Sequence, residues 1–237
     1  MDNIALERID SFMESSFNKI EGWVVPTIKN ILKCVSIIQD HHQIQGGIVE
    51  IGVHHGKFFI LLCQLLRDAE FALAVDLFSK QELNIDHSGR GGYEAFASNV
   101  EIYCPNPSHI MSLEADSLDL QPEDIRSKIG SARLISVDGG HTCEHTIHDI
   151  SLSSQLIVGG GVIILDDYYN QEWPGVHEGF IKYMLHHNKK LCPFVYQGNK
   201  LFLTTISWHQ IYLREISKLI PNHNIVKMSG FDVVSIK

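Results

Sequence analysis

Two short runs in this sequence have residue types and spacing that invite chemistry. They are Asp138-Gly139-Gly140-His141 and, one helix and one strand further on, Asp166-Asp167-Tyr168. Each follows a short apolar stretch, Leu134–Val137 or Val162–Leu165, that reads as a buried strand. The separation suits one βαβ unit, so the two strands are neighbours. Asp138, Asp166 and Asp167 then meet at one edge of a sheet. Three uncompensated carboxylates so close repel one another and raise their own pKa values. A bound divalent cation resolves that conflict. An oxygen donor set without cysteine points to Mg²⁺, with Mn²⁺ or Ca²⁺ as alternatives, rather than zinc. His141, His145 and His148 recur at helical spacing and offer a rival three-histidine zinc site. It ranks lower, because the acids already supply a site and His145 and His148 read as partly exposed.

A second constellation lies earlier. Glu50, Gly52 and Gly56 frame a turn that leaves the strand Ile48–Ile51 and opens a helix, with His54 and His55 inside it. Glycines there let the backbone approach a ligand and turn sharply into the helix. The spacing is G-x-x-x-G and not G-x-G-x-x-G, which disfavours a nicotinamide or flavin cofactor. Asp76 ends the next strand, Ala72–Val75, where a carboxylate can accept hydrogen bonds from both hydroxyls of a ribose.

These residues need elements to hold them. From Gly47 the pattern alternates strand, turn and helix, which predicts an α/β domain: a mostly parallel sheet with helices on both faces. In such sheets ligands bind beyond the carboxyl ends of the strands. Residues 79–93 read as a long loop, and His87 and Arg90 within it are candidates to touch a substrate. Thr142 is placed to cap a helix running to about Ile157. Gly159–Gly161 read as a break before Val162. The tail carries a hairpin around Gln197–Lys200, a helix over Trp208–Ile220 and a last strand over Asp232–Ile236. Two helices precede Gly47. Residues 1–46 therefore read as a helical cap, or a surface on which copies of the chain pair, and residues 47–237 as the main domain.

Composition sets the outer limits. The chain has 237 residues, enough for one large α/β domain. A formal charge of −9 speaks against nucleic-acid partners and polybasic membrane anchoring. No apolar run is long enough for a membrane span, and the N-terminus lacks a secretory h-region. Five scattered cysteines fit a reducing compartment. A cytoplasmic protein is the expectation. Of the 14 histidines, those near helix ends read as surface residues.

The set Glu50, Gly52, Gly56 and Asp76 resembles the first motifs of class I S-adenosylmethionine-dependent methyltransferases. The later series sharpens this. D-G-x-H, a helix with an acid at Asp149, and G-G-x-I-x-x-D-D-Y are similar to the metal-dependent O-methyltransferase branch, which includes macrocin-type and related sugar and antibiotic enzymes. The resemblance covers about Gly47 to Val176. It implies a Rossmann-like sheet with an antiparallel C-terminal strand. It implies that Glu50, Gly52, His54, Gly56, Asp76 and Asp138 place S-adenosylmethionine, with Asp116 and Ser117 near its adenine. Asp138, Asp166 and Asp167 become the ligands of a magnesium ion, and Asp138 and His141 the catalytic pair, with His141 as general base. The partner is a small-molecule hydroxyl acceptor (a sugar, phenolic or polyketide). Tyr168 and Trp173, with His87 and Arg90, are the residues expected to meet it. Two other readings stand beside this one: a non-catalytic S-adenosylmethionine-binding subunit or regulator, and a hydroxylase-like relative that binds iron.

Overall fold

Strands that are apolar on both faces must be covered on both faces. Every residue of β1 (Gly47–Ile51) and β4 (Ala132–Val137) is buried, and nearly every one of β2 (Ala72–Asp76) and β5 (Ile157–Leu165). The computed structural model, which describes residues 3–188 and 190–236, places these strands at the centre of one sheet. The others are β3 (Ile110–Glu114), β6 (Leu191–Gln197), β7 (Lys200–Thr205), β8 (Asn224–Met228) and β9 (Phe231–Ile236). The order is β3-β2-β1-β4-β5-β7-β6-β9-β8. The first five run parallel. β7 lies antiparallel between β5 and β6, and β9 runs parallel to β6. The expected α/β fold, mostly parallel with antiparallel strands at its C-terminal side, is the one found.

The helices are α1 (Asn3–Ser15), α2 (Ile28–His41), α3 (Lys57–Cys63), α4 (Tyr93–Tyr103), α5 (Pro122–Ile129), α6 (Cys143–Leu156), α7 (Pro174–His186) and α8 (His209–Leu219). Alternate strand residues point to opposite faces. Ile48, Leu134 and Ile164 pack with α1, α2, α3, α4 and α8. Val49, Ile135 and Ile163 pack with α5, α6 and α7. Residues 1–46, read above as a cap, thus contribute Ile9, Phe12, Ile31, Leu32 and Val35 to the same core as the sheet. Among the described residues, no helix is long and apolar enough to cross a membrane.

Two elements depart from the sequence pattern. The glycines expected to break the chain lie inside β5, which starts at Ile157. Gly160 has φ +79°, and a Cβ there would sit 2.6–2.7 Å from Ile44 and the Trp208 ring. The strand bulges at this point and resumes its register at Val162 opposite Leu134. The other is β8, paired antiparallel to β9 across the turn Ser229-Gly230, where both residues have positive φ. That Ser-Gly pair was its signal, hidden because β8 is half exposed and lacks an apolar run.

One buried ion pair ties α2 to the sheet. Arg133, fully buried in β4, donates to both oxygens of Glu70 at 2.8 Å, to Gln39 Oε1 of α2 at 2.7 Å and to the Leu65 carbonyl at 2.7 Å. Gln39 returns a bond to the Arg133 carbonyl. Replacing Arg133 removes the cation bound to both Glu70 oxygens and leaves only Arg67, at 3.5 Å, as a charged partner. Arg133→Met is expected to destabilise by about 3–5 kcal/mol in urea unfolding.

Candidate active site

Asp76 organises the turn after β1. Its Oδ2 accepts the backbone N–H groups of Val53 (2.8 Å) and His54 (2.9 Å), and its Oδ1 that of Phe78 (2.9 Å). Gly52 (φ +82°) is required by packing: a Cβ there would lie 1.9 Å from the Asp138 carbonyl oxygen. So β1 and β4 meet edge to edge where the two sequence constellations begin. Gly56 supplies the left-handed residue before α3 and packs on Phe96, behind the cleft wall. His54 itself has φ +50° and its ring packs tilted against Trp23 at 5.4 Å. Burial, then the neighbouring His55, lowers its pKa. Glu50 is buried, and neither of its carboxylate oxygens has a hydrogen-bond partner. Burial pushes its pKa well up, and the charge of Asp138 adds to the shift.

The acids at the ends of β4 and β5 converge as expected, but their partners divide them. His141 sits among three carboxylates. Its Nε2 lies 3.2 Å from Asp167 and 3.7 Å from Asp138, and its Nδ1 lies 2.7 Å from Asp86. The ring stacks on Trp173 at 4.4 Å. Burial works against the imidazolium, but hydrogen bonds to Asp138, Asp167 and Asp86 outweigh it and raise the pKa to about 11. Ligand atoms of Asp138, His141 and Asp167 lie within 4.8 Å of one another, a spacing that suits a cation. Asp166 instead forms a buried ion pair with Lys200. Burial, with Asp138 adding, pushes its pKa up to about 7. Burial also opposes the Lys200 ammonium, yet Asp166 and Asp138 keep its pKa raised. The Asp166 Oδ1 receives the Asp167 N–H at 2.8 Å, which helps hold Asp167 at φ +53°. Non-glycine residues in that conformation concentrate at functional sites.

Other expected residues divide likewise. Asp116 begins the turn after β3, and its Oδ1 accepts the Leu118 N–H at 3.0 Å. Ser117 is buried beside it. The three-histidine site does not assemble. His145 is buried rather than half exposed, and faces Thr142 and Asp116. His148 faces Asp149. His87 and Trp173 line the cleft, whereas Arg90 is exposed outside it. Tyr168 also lies outside: it packs in the core against Phe180 and Tyr196. It follows the sharp turn at Asp167, so its side chain drops back under the sheet edge.

The cleft, about 900 Å³, lies at the carboxyl ends of β1, β2, β4 and β5. Four of its features were missed from sequence. Asp86 accepts both the His141 N–H (3.0 Å) and its Nδ1–H (2.7 Å). Burial opposes charge on Asp86, but these bonds and those from Ser88 hold its carboxyl well below the usual range. Lys200 comes from the hairpin and meets Asp166 only through the placement of β7 beside β5. The segment Glu21–Pro26 forms one wall. Asn170 orients Asp167 by donating to its Oδ1 at 2.9 Å. An isolated acid in a polar loop carries no sequence signal of its partner.

A family model described as a methyltransferase domain matches residues 49–168, just over half of the chain. The chain belongs to that family, and the class I fold implied by the glycine turn is the one found. No curated protein matches the sequence. Among solved structures, the chain is similar to the O-methyltransferase NovP, with a TM-score of 0.61 and 17% identity over 76% of this chain and 79% of that one. It is also similar to an O-methyltransferase from Bacillus cereus in complex with SAH, with a TM-score of 0.54 and 17% identity over 86% and 90% of the chains. A third is TomG from Streptomyces achromogenes in complex with SAM, with a TM-score of 0.53 and 15% identity over 86% and 89%.

The His141 environment carries a pH signature. Its pKa is raised in the folded, metal-free protein to about 11, against about 6.5 unfolded. The stabilisation is therefore full below pH 6.5, falls as pH rises, and is gone above about 11. In metal-free urea titrations, His141→Gln is expected to cost most near pH 6 and progressively less toward pH 10. A penalty that grows with pH would contradict this electrostatic account.

Proposed function

We propose that the protein is an S-adenosylmethionine- and magnesium-dependent O-methyltransferase of small-molecule hydroxyls. The observation that carries the reading is the convergence of Asp138, His141 and Asp167 at the ends of two adjacent strands, in the same cleft as the glycine turn. The residues present suit both groups. The orphaned Glu50 carboxylate is a buried acceptor in want of a cationic partner, which the ammonium of S-adenosylmethionine supplies. Asp76 keeps an open acceptor position on Oδ1 for a ribose hydroxyl after accepting its three backbone bonds. Asp116, with Ser117 beside it, is the candidate partner of the adenine. The sulfonium of the cofactor provides the methyl group.

Asp138 and Asp167 are the residues that would hold the metal. Asp166, the third ligand implied by the resemblance, is committed to Lys200 and braces Asp167 from behind. A divalent cation held there supplies Lewis acidity that lowers the pKa of the acceptor hydroxyl. Methyl transfer breaks the C–S bond, forms a C–O bond and releases the hydroxyl proton. His141 Nε2 is placed to take that proton. Its Nδ1–H is donated to Asp86, which selects the tautomer that leaves Nε2 as the acceptor. In the metal-free protein the surrounding carboxylates keep His141 charged, so its action as a base requires that Asp138 and Asp167 be engaged elsewhere. Trp173 covers the imidazole and limits water at that face. A cytoplasmic setting, consistent with five unpaired cysteines, accompanies this reading.

The test pairs calorimetry of S-adenosylhomocysteine with labelled-methyl transfer to a panel of hydroxyl compounds, with and without EDTA. Cofactor binding is expected without metal, and turnover only with it. His141→Gln should lower kcat about 10²–10⁴-fold, and Asp138→Asn and Asp167→Asn should remove metal dependence together with turnover. Cofactor binding without any turnover would return the non-catalytic reading. Turnover untouched by EDTA would remove the metal.

A further inference from the structure

Beyond the cofactor, the cleft has a charge and surface pattern that bears on what else it takes. Its acceptor end carries Asp86, Asp138, Asp167 and Glu172. Among the described lining residues there is no arginine, and the two lysines are already engaged. Lys200 is paired with Asp166. Lys57 donates to the Gly22 carbonyl at 3.1 Å and lies over the Phe17 ring at 4.4 Å. His141 is enclosed by three of the acids. Of the other imidazoles in the lining, His145 faces Asp116 and burial disfavours the charged form of His54, which leaves the exposed His87 at the mouth. Isolated imidazoles cannot form the bidentate contacts by which an arginine holds phosphate or carboxylate groups.

The mouth itself is apolar. Trp23 (75% exposed), Ile85 (60%), Val25 (50%) and Leu83 (41%) all line it. They come from two segments that touch, since a Cβ on Gly89 of the loop would sit 2.9 Å from the Trp23 ring. Four large apolar side chains left open around one cleft form the kind of patch that marks a binding surface.

We infer that the acceptor is neutral or cationic and carries an apolar body that lies on Trp23, Val25, Leu83 and Ile85, and that phosphorylated, nucleotide-linked and carboxylated acceptors are excluded. This specificity rests on the O-methyltransferase reading. Even with a divalent cation held by Asp138 and Asp167, an anionic acceptor would bring its charge against Asp86 and Glu172 with no free lysine or arginine of the cleft lining to receive it, and like-charge contacts of this kind suppress wrong partners. A bare sugar would leave the apolar rim uncovered.

The test uses three probes of one shape: 1-naphthalenemethanol (neutral), 1-naphthylmethylamine (cationic) and 1-naphthalenesulfonate (anionic and a weak metal ligand). Calorimetry is run on protein loaded with S-adenosylhomocysteine and Mg²⁺. The neutral and cationic probes are expected to bind at least tenfold more tightly than the sulfonate, and uridine diphosphate glucose not to bind. Ile85→Ser combined with Val25→Ser should weaken the neutral probe at least tenfold, with thermal melting to check that the fold is kept. Equal or tighter binding of the sulfonate, binding of the nucleotide sugar, an unaffected double variant, or no binding of any naphthyl probe would each overturn the inference. Should S-adenosylhomocysteine itself fail to bind, the functional reading falls separately. The same series on unloaded protein then still decides the preference for charge and apolar surface.

Discussion

Mutual repulsion among carboxylates at the ends of β4 and β5 is the constraint around which this molecule is arranged. A parallel sheet brings successive strand ends to one edge, and here those ends carry Asp138, Asp166 and Asp167. Each charge needs an answer. Lys200 answers Asp166 from the hairpin, as a buried pair on the cleft lining. His141 answers Asp138 and Asp167 from the cleft, while Asp86 holds its far side. The structure thus divides one acidic cluster into a structural pair and an open pair. The open pair faces the cleft.

Positioning follows from that division. The turn after β1 is pinned by Asp76 and fits against β4 only because Gly52 lacks a side chain. The loop holding Asp86 is tied to His141, so the same loop that lines the mouth also orients the proposed base. The N-terminal helices are part of this arrangement. α2 is bolted to β4 through Gln39 and Arg133, and the segment just before it carries Trp23 and Val25 to the cleft. A region that resembles an appendage in sequence therefore serves the core on one side and the cleft wall on the other.

Much of the site was legible because its residues follow strands. Asp76, Asp138, Asp166 and Asp167 each end a short apolar run, and Thr142 caps α6 with its Oγ1 accepting the His145 N–H, as its position predicts. Gly52 and Gly56 mark the turn for the same local reason. The less legible residues have partners distant in sequence. Asp86 meets His141 across the domain, and Lys200 meets Asp166 through an antiparallel strand inserted out of sequence order. Tyr168 was misplaced because the motif reads as one unit, whereas the left-handed turn at Asp167 sends the next side chain into the core. Gly159–Gly161 look like a stop, but a sheet neighbour on each side keeps the strand going through a bulge.

By itself, the sequence determined the class of fold, the methyltransferase family and the strand-end residues, because apolar runs, glycine turns and the acids after them are written in local order. Only the tertiary structure decided which acid receives which cation. Charge pairing acts over a few ångströms in space, whatever the distance along the chain. It gave Asp166 to Lys200, left Asp138 and Asp167 open beside His141, and placed Asp86 behind it.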